Sequence, residues 1–144
     1  MDIRKIFKAS KMFIVLGIII LLVVPIFDLD ETGIFGLHRS EIATIPIILF
    51  MIMLMWTGYN ATNKYGMNIS EAGIISAFTG AVTGAIVSLV MMLLIVTSSS
   101  PQEMNESLLL LLIFDAIIIL GAAFIGYING MLGSSIAKGV RPRT

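Results

Sequence analysis

Asp115 is the one ionisable residue inside a long apolar run, in the stretch Leu112-Ile113-Phe114-Asp115-Ala116-Ile117. A charge held at the centre of a bilayer costs at least about 2.5–3.5 kcal/mol. Such a carboxyl must therefore carry a proton, find a partner or sit in a wet cavity. Two kinds of chemistry follow. It binds a proton or cation, or it hydrogen-bonds neighbouring helices and fixes their packing. On a helix Asp115 shares a stripe with Ala122, Gly126 and Asn129, so it is expected to face a packed interface, not lipid. Ser88 lies at the matching depth of the preceding apolar run. Pro25 and Pro46 each free a carbonyl four residues earlier, those of Leu21 and Ile42, and these are further acceptors for a protonated Asp115. Asp115, Ser88 and Asn129 are the candidate intramembrane polar site.

Other constellations are weaker. Asp28, Asp30 and Thr32, followed by Gly33, resemble the start of an EF-hand calcium loop. The pattern breaks at its twelfth position, which is Arg39 where a bidentate glutamate is needed, and Glu41 comes two residues late. An acidic, solvated loop is the expectation. Ser76, Thr79 and Thr83 form a hydroxyl strip, for which bonding to the helix's own carbonyls is the default. Met51, Met53 and Met55 look like a soft-metal cluster, but period two puts Met53 on the opposite helical face. His38-Arg39-Ser40-Glu41 is a local polar cluster, not a triad. There is no nucleophile elbow, P-loop or dinucleotide fingerprint. With no cysteine and one histidine, the chain supplies no disulfide, thiolate metal site or iron–sulfur cluster. The expectation is a non-enzyme without cofactor or nucleic-acid partner.

The elements that position these residues are set by composition. The chain has 144 residues, is 58% hydrophobic and only 12% charged, and its mean hydropathy is +1.03. Soluble domains carry about 25% charged residues. These values indicate an all-α integral membrane protein of one domain. Four apolar runs, 12–27, 42–59, 72–96 and 108–132, approach the roughly 20 residues a spanning helix needs. They are continuous, not alternating, which favours helices over a barrel. The first run has the basic start and short core of a signal peptide. Val24-Pro25-Ile26-Phe27-Asp28 offers no small-residue cleavage pattern, so it reads as a retained anchor. Ile3, Ile6 and Phe7 share a face, with Arg4, Lys5, Lys8 and Lys11 interspersed, which predicts a short interfacial segment before helix 1. Ser100-Pro101-Gln102-Glu103 is a capping box that starts helix 4 near Pro101, and Gly133 is the expected C-cap. Asn68 and Glu71 suit the start of helix 3.

Basic residues orient the bundle. Arg4, Lys5, Lys8 and Lys11 precede helix 1, Lys64 lies in the second loop, and Lys138, Arg141 and Arg143 lie in the tail. Arg39 alone lies in the first loop, and the third loop has none. Two helical hairpins with both termini cytoplasmic put eight basic residues inside against one outside. The expected location is the cell membrane, multi-pass. Of three Asn-x-Ser/Thr triplets, at Asn60, Asn68 and Asn105, only Asn105 would then be open to glycosylation.

Small residues mark packing faces. Gly73, Ala77, Gly80 and Gly84 line helix 3, and Ala122, Gly126 and Gly130 line helix 4. Small residues let backbones approach closely where lipid removes the hydrophobic drive for association. Helices 3 and 4 are expected to pack on each other, or on a second copy. Helices 1 and 2 are bulkier and are expected to face lipid.

The second half, from Gly66 to Gly139, resembles small archaeal four-span membrane proteins that are glycine-rich in their later helices, in segments like 73–89 and 121–139. Helices 1 and 2 depart from that pattern by lacking a glycine stripe. The resemblance implies a fold but no activity. The expected function is association in the bilayer, as a homo-oligomer or as an accessory subunit of a larger membrane complex. The alternative is a small channel or transporter that uses Asp115.

Overall fold

A computed structural model describes the backbone of residues 3–27, 39–98 and 101–140, and side chains within 4–22, 44–94 and 112–139. Among the described residues all regular structure is helical: α1 (Ile3–Phe27), α2 (Arg39–Tyr65), α3 (Ile69–Ser98) and α4 (Pro101–Val140). Stretches of α2, α3 and α4 are long and apolar enough to cross a membrane. At 1.5 Å per residue, α3 is about 45 Å long and α4 about 60 Å, against a hydrocarbon core of about 30 Å.

The sequence signals at the α2–α3 turn explain its tightness. Gly66 adopts φ 68°, the left-handed conformation that a side chain disfavours. Its N–H donates to the Thr62 carbonyl at 3.1 Å and the Met67 N–H to the Ala61 carbonyl at 3.2 Å, and the two bonds close the C-terminal end of α2. Two residues later α3 begins with a reciprocal capping box. The Asn68 N–H donates to Glu71 Oε2 at 3.0 Å, and the Glu71 N–H donates to Asn68 Oδ1 at 2.8 Å. Between them Met67 is buried against Ala9, Ala61, Ala72 and Ile75, so the turn is tied to the first turns of α1.

Three expectations change. The segment before helix 1 does not break from it: Ile3 to Phe27 is one helix, with Ala9 and Ser10 already buried. Gly133 does not cap α4, which continues to Val140. The residues after it, Ser134 to Lys138, tolerate helix, and Gly133 itself serves a close contact described below. Helices 1 and 2 are also more than a lipid-facing layer. The α2–α3 hairpin is central, with α1 and α4 each packed on both of its helices, and α3–α4 is the most extensive pair.

The interior is made of small and hydroxyl-bearing residues. The largest fully buried side chains are Leu54, Ile75 and seven threonines and serines: Thr57, Thr62, Thr79, Thr83, Ser10, Ser76 and Ser134. Phe13, Phe50, Met53 and Leu54 form one apolar cluster. Many bulky residues, among them Ile19, Ile48, Trp56, Leu89, Phe114, Leu120 and Phe124, face outward. Soluble folds bury such side chains. Here the apolar surface is turned out and the compact polar one in, as helix packing in lipid requires.

Candidate functional site

The α3–α4 seam is antiparallel and built backbone against backbone. A β-carbon added at Gly80 would strike the Ala122 carbonyl, and one at Gly126 the Ser76 carbonyl. At Gly84 it would lie 3.2 Å from the Ala122 side chain. Gly73 sits under Tyr127, 2.9 Å from its ring by the same measure. Ala77 lies at the seam as well, its Cα 3.1 Å from a β-carbon at Gly126. The expected packing residues of helices 3 and 4 are therefore used within the chain.

The contact continues onto α2, where the sequence pattern gave no stripe. Gly58 meets the Gly130 backbone, and Gly133 meets the Met55 carbonyl. One turn on, the Thr62 and Ser134 hydroxyls bond across α2 and α4 at 2.6 Å. The Ser76 hydroxyl donates to the Leu54 carbonyl at 3.1 Å, joining α3 to α2 instead of bonding to its own helix. Gly17 on α1 rests on Thr83 and Phe50, with 3.0 Å from a β-carbon to Thr83 Cγ2. Single glycines in apolar helices, with no turn to make, were the available signal for Gly17 and Gly58.

The polar candidates fall in two places. Asn129 is buried and spends its amide on its own helix, donating to the Ile125 carbonyl at 2.9 Å. It lies about 21 Å along α4 from Asp115, so the two do not share a site. Asp115 is half-buried and lies on the inward stripe of α4 with Ile119, Ala122 and Gly126. The register sets Ser88 at the same level of the α3–α4 seam. Gly80 meets Ala122 and Gly84 meets Ile119, so the next turn of α3 sets Ser88 opposite Asp115. Ser88 is only 5% exposed and its hydroxyl has no hydrogen-bond partner. The direct Asp115–Ser88 bond is not formed in this structure. Pro46 is buried within α2, while the side chains at Pro25 and Ile42 lie outside the described residues.

Thr79 bonds its own helix at the Ile75 carbonyl, as expected, whereas the fully buried Thr83 hydroxyl has no partner. Met53 is buried and Met51 exposed, on opposite faces. α4 starts at Pro101, where the sequence put it, while Asp28, Asp30, Thr32, Ser100 and the side chains of Glu103 and Asn105 lie outside the described residues. Among the described residues no group of three histidine, aspartate or glutamate side chains comes together.

The charges are sorted along the bundle. Arg4, Lys5, Lys8, Lys11, Lys64, Lys138 and Glu71 lie toward the end that holds the α2–α3 turn. Asp115 stands in the other half. No family model matches the chain, and comparison with curated proteins and with solved structures finds no match.

Proposed function

We propose that the protein is a non-enzymatic, four-span membrane protein, with both termini on the cytoplasmic side, that acts by helix association. The segregation of basic residues at one end supports the orientation. The outward face of α4 carries the association reading. Only 11% of its apolar window is buried within the protein, against 39% for α2. Gly126, Gly130 and Gly133 are spent inside the bundle, but Gly121, near the middle of the apolar stretch, faces open space with nothing within 4 Å. Around it stand Ile117, Ile118, Phe124 and Ile125, all exposed. A glycine ringed by four large side chains is a hole that receives a knob from a second helix. The occupant is a second copy of this chain or a subunit of a larger complex. Light scattering in mild detergent, with co-purification from native membranes, tests this. A particle larger than the monomer, or a stoichiometric partner, supports it, and a clean monomer with no partner sinks it.

The register of Ser88 with Asp115 favours a second reading, a small proton or cation transporter. A buried, unpartnered hydroxyl at the level of an intramembrane carboxyl is a candidate hydrogen-bonding partner for a neutral acid and a candidate oxygen ligand for a cation. Ion flux in proteoliposomes tests it, and an inactive wild type removes it.

A further inference from the structure

We infer that the ion taken at the level of Asp115 and Ser88 is a proton and not a metal cation. The inference deepens the transport reading above and rests on it for function. The α3–α4 seam fixes the level. A β-carbon added at Gly80 meets the Ala122 carbonyl, and one added at Gly84 lies 3.7 Å from the Ile119 Cα. One turn further along the antiparallel pair, α3 presents Ser88 and α4 presents Asp115.

Oxygen donors are few at this level. Among the described residues they are the Asp115 carboxyl and the Ser88 hydroxyl, which is 5% exposed and has no hydrogen-bond partner. Thr83, the next hydroxyl of α3 toward the turn, lies on another face, against Gly17 of α1. Val87 and Met91 of α3 and Ile119 of α4 carry no side-chain oxygen. Neither helix has a proline in this stretch, so its carbonyls stay in the helical hydrogen bonds. Leu112 and Ile118 flank Asp115 along α4 and are each 50% exposed, so acyl chains, not water, border the carboxyl there.

A calcium ion takes six to eight oxygens and a magnesium ion an octahedron of them. A potassium ion needs its hydration shell replaced by protein oxygens. One carboxyl and one hydroxyl bordered by lipid do not replace such a shell. A proton needs a single carboxyl oxygen. The protonated carboxyl is both donor and acceptor, so it pairs with the Ser88 hydroxyl in either sense. Two polar groups then satisfy each other, and no charge stays in hydrocarbon. Among the described residues no other titratable group stands at this level. Along α4 the next is Tyr127, about 18 Å away. On α3 it is Glu71, in the first turn of the helix.

The full chain in mild detergent is treated with dicyclohexylcarbodiimide, which modifies protonated carboxyls in apolar surroundings, and the modified residue is located by mass spectrometry. Asp115 is expected to be modified, and Asp115→Asn is the blank. The rate is expected to be the same in sodium, potassium, calcium or N-methylglucamine chloride at matched ionic strength. A bound metal ion would slow it by the factor 1 + [cation]/Kd, about eleven-fold at ten times Kd. Infrared difference spectra of wild type against Asp115→Asn should show the carbonyl stretch of a protonated carboxyl. Ser88→Ala should move that band to higher frequency by removing its hydrogen bond. Protection by any of the three metals overturns the inference, and so does a spectrum without the band. A band unmoved in Ser88→Ala overturns the part assigned to Ser88. Flux in proteoliposomes is scored separately. A silent wild type whose label no metal protects overturns the transport reading alone, and flux with protection by a metal overturns the proton assignment alone.

Discussion

Gly58 and Gly130 meet backbone to backbone where α2 crosses α4, and Gly130 also abuts Ser76 and Ala72 of α3. One residue thus joins three helices. A methyl group at Gly130 would come within 2.8 Å of the Ala72 carbonyl oxygen, which belongs to rigid helix backbone and cannot give way. Gly130→Ala is expected to destabilise by about 1–3 kcal/mol through forced separation of the helices. Within one chain Gly121→Ala meets open space and gains helix propensity, so the bundle's own fold should be unaffected or slightly stabilised, while filling the proposed hole on α4 should weaken association. Thermal unfolding of both variants in one detergent checks the contrast. Equal losses would mean that the three-helix contact does not limit stability.

The buried hydroxyls divide by partner. Ser76 spans α3 to α2 through the Leu54 carbonyl, and Thr83 has no partner although fully buried. Removing a made hydrogen bond between membrane helices costs about 0.6 kcal/mol on average. Removing an unmade one relieves a desolvated group. Ser76→Ala is therefore expected to lower the melting temperature, and Thr83→Val to hold or raise it. A larger loss for Thr83→Val would show that its hydroxyl is bonded in solution.

How much of this was legible in the sequence depended on whether the signal was local. The helices, the Asn68–Glu71 box and the glycine stripes of α3 and α4 are written in short-range patterns, and the structure reproduces them. Gly133 has the local signature of a cap because it stands near the end of an apolar run. Its actual constraint is the Met55 carbonyl of another helix. Gly17 and Gly58 carry no such local signal, since one glycine gives no periodicity and only its neighbour on another helix explains it, the Thr83 and Phe50 side chains for Gly17 and the Gly130 backbone for Gly58. For Asp115 the stripe was readable. The placement of Ser88 opposite it followed once the Gly84–Ile119 contact fixed the register.

The cap of α3 gives a local test. Glu71 accepts from the Asn68 N–H, and Asn68 Oδ1 accepts from the Glu71 N–H. Asn68→Ala is expected to cost about 1 kcal/mol, within the 0.5–2 kcal/mol range of lost N-caps. Glu71→Gln keeps the acceptor and should cost less. Chemical or thermal unfolding orders the two, and a reversed order would count against the reciprocal box.

The proposed orientation is open to a clean labelling test because the chain has no cysteine. Lys64→Cys, near the α2–α3 turn, is expected to react with a membrane-impermeant thiol reagent only after the cytoplasmic face is exposed. Asn105→Cys should react in intact cells. The opposite pattern would invert the proposed topology, and labelling of both sites from one side would remove a span between them.

Asp115 and Ser88 provide the sharpest separation of the two functional readings. Asparagine matches the shape of aspartate and keeps hydrogen-bonding capacity without a charge, so Asp115→Asn is expected to fold with an unchanged melting temperature. Under the association reading its oligomeric state also stays that of the wild type, because Gly121 lies on the outward face of α4 and Asp115 on the inward stripe. Under the transport reading, wild-type proteoliposomes carry a proton or cation flux that Asp115→Asn abolishes. Ser88→Ala should reduce that flux by less, since a hydroxyl is a neutral ligand beside a carboxyl. Flux that survives Asp115→Asn would exclude the carboxyl as the site. Loss of oligomers on Asp115→Asn would move the association surface from the outer to the inner face of α4, which the packed seam with α3 forbids unless the bundle opens.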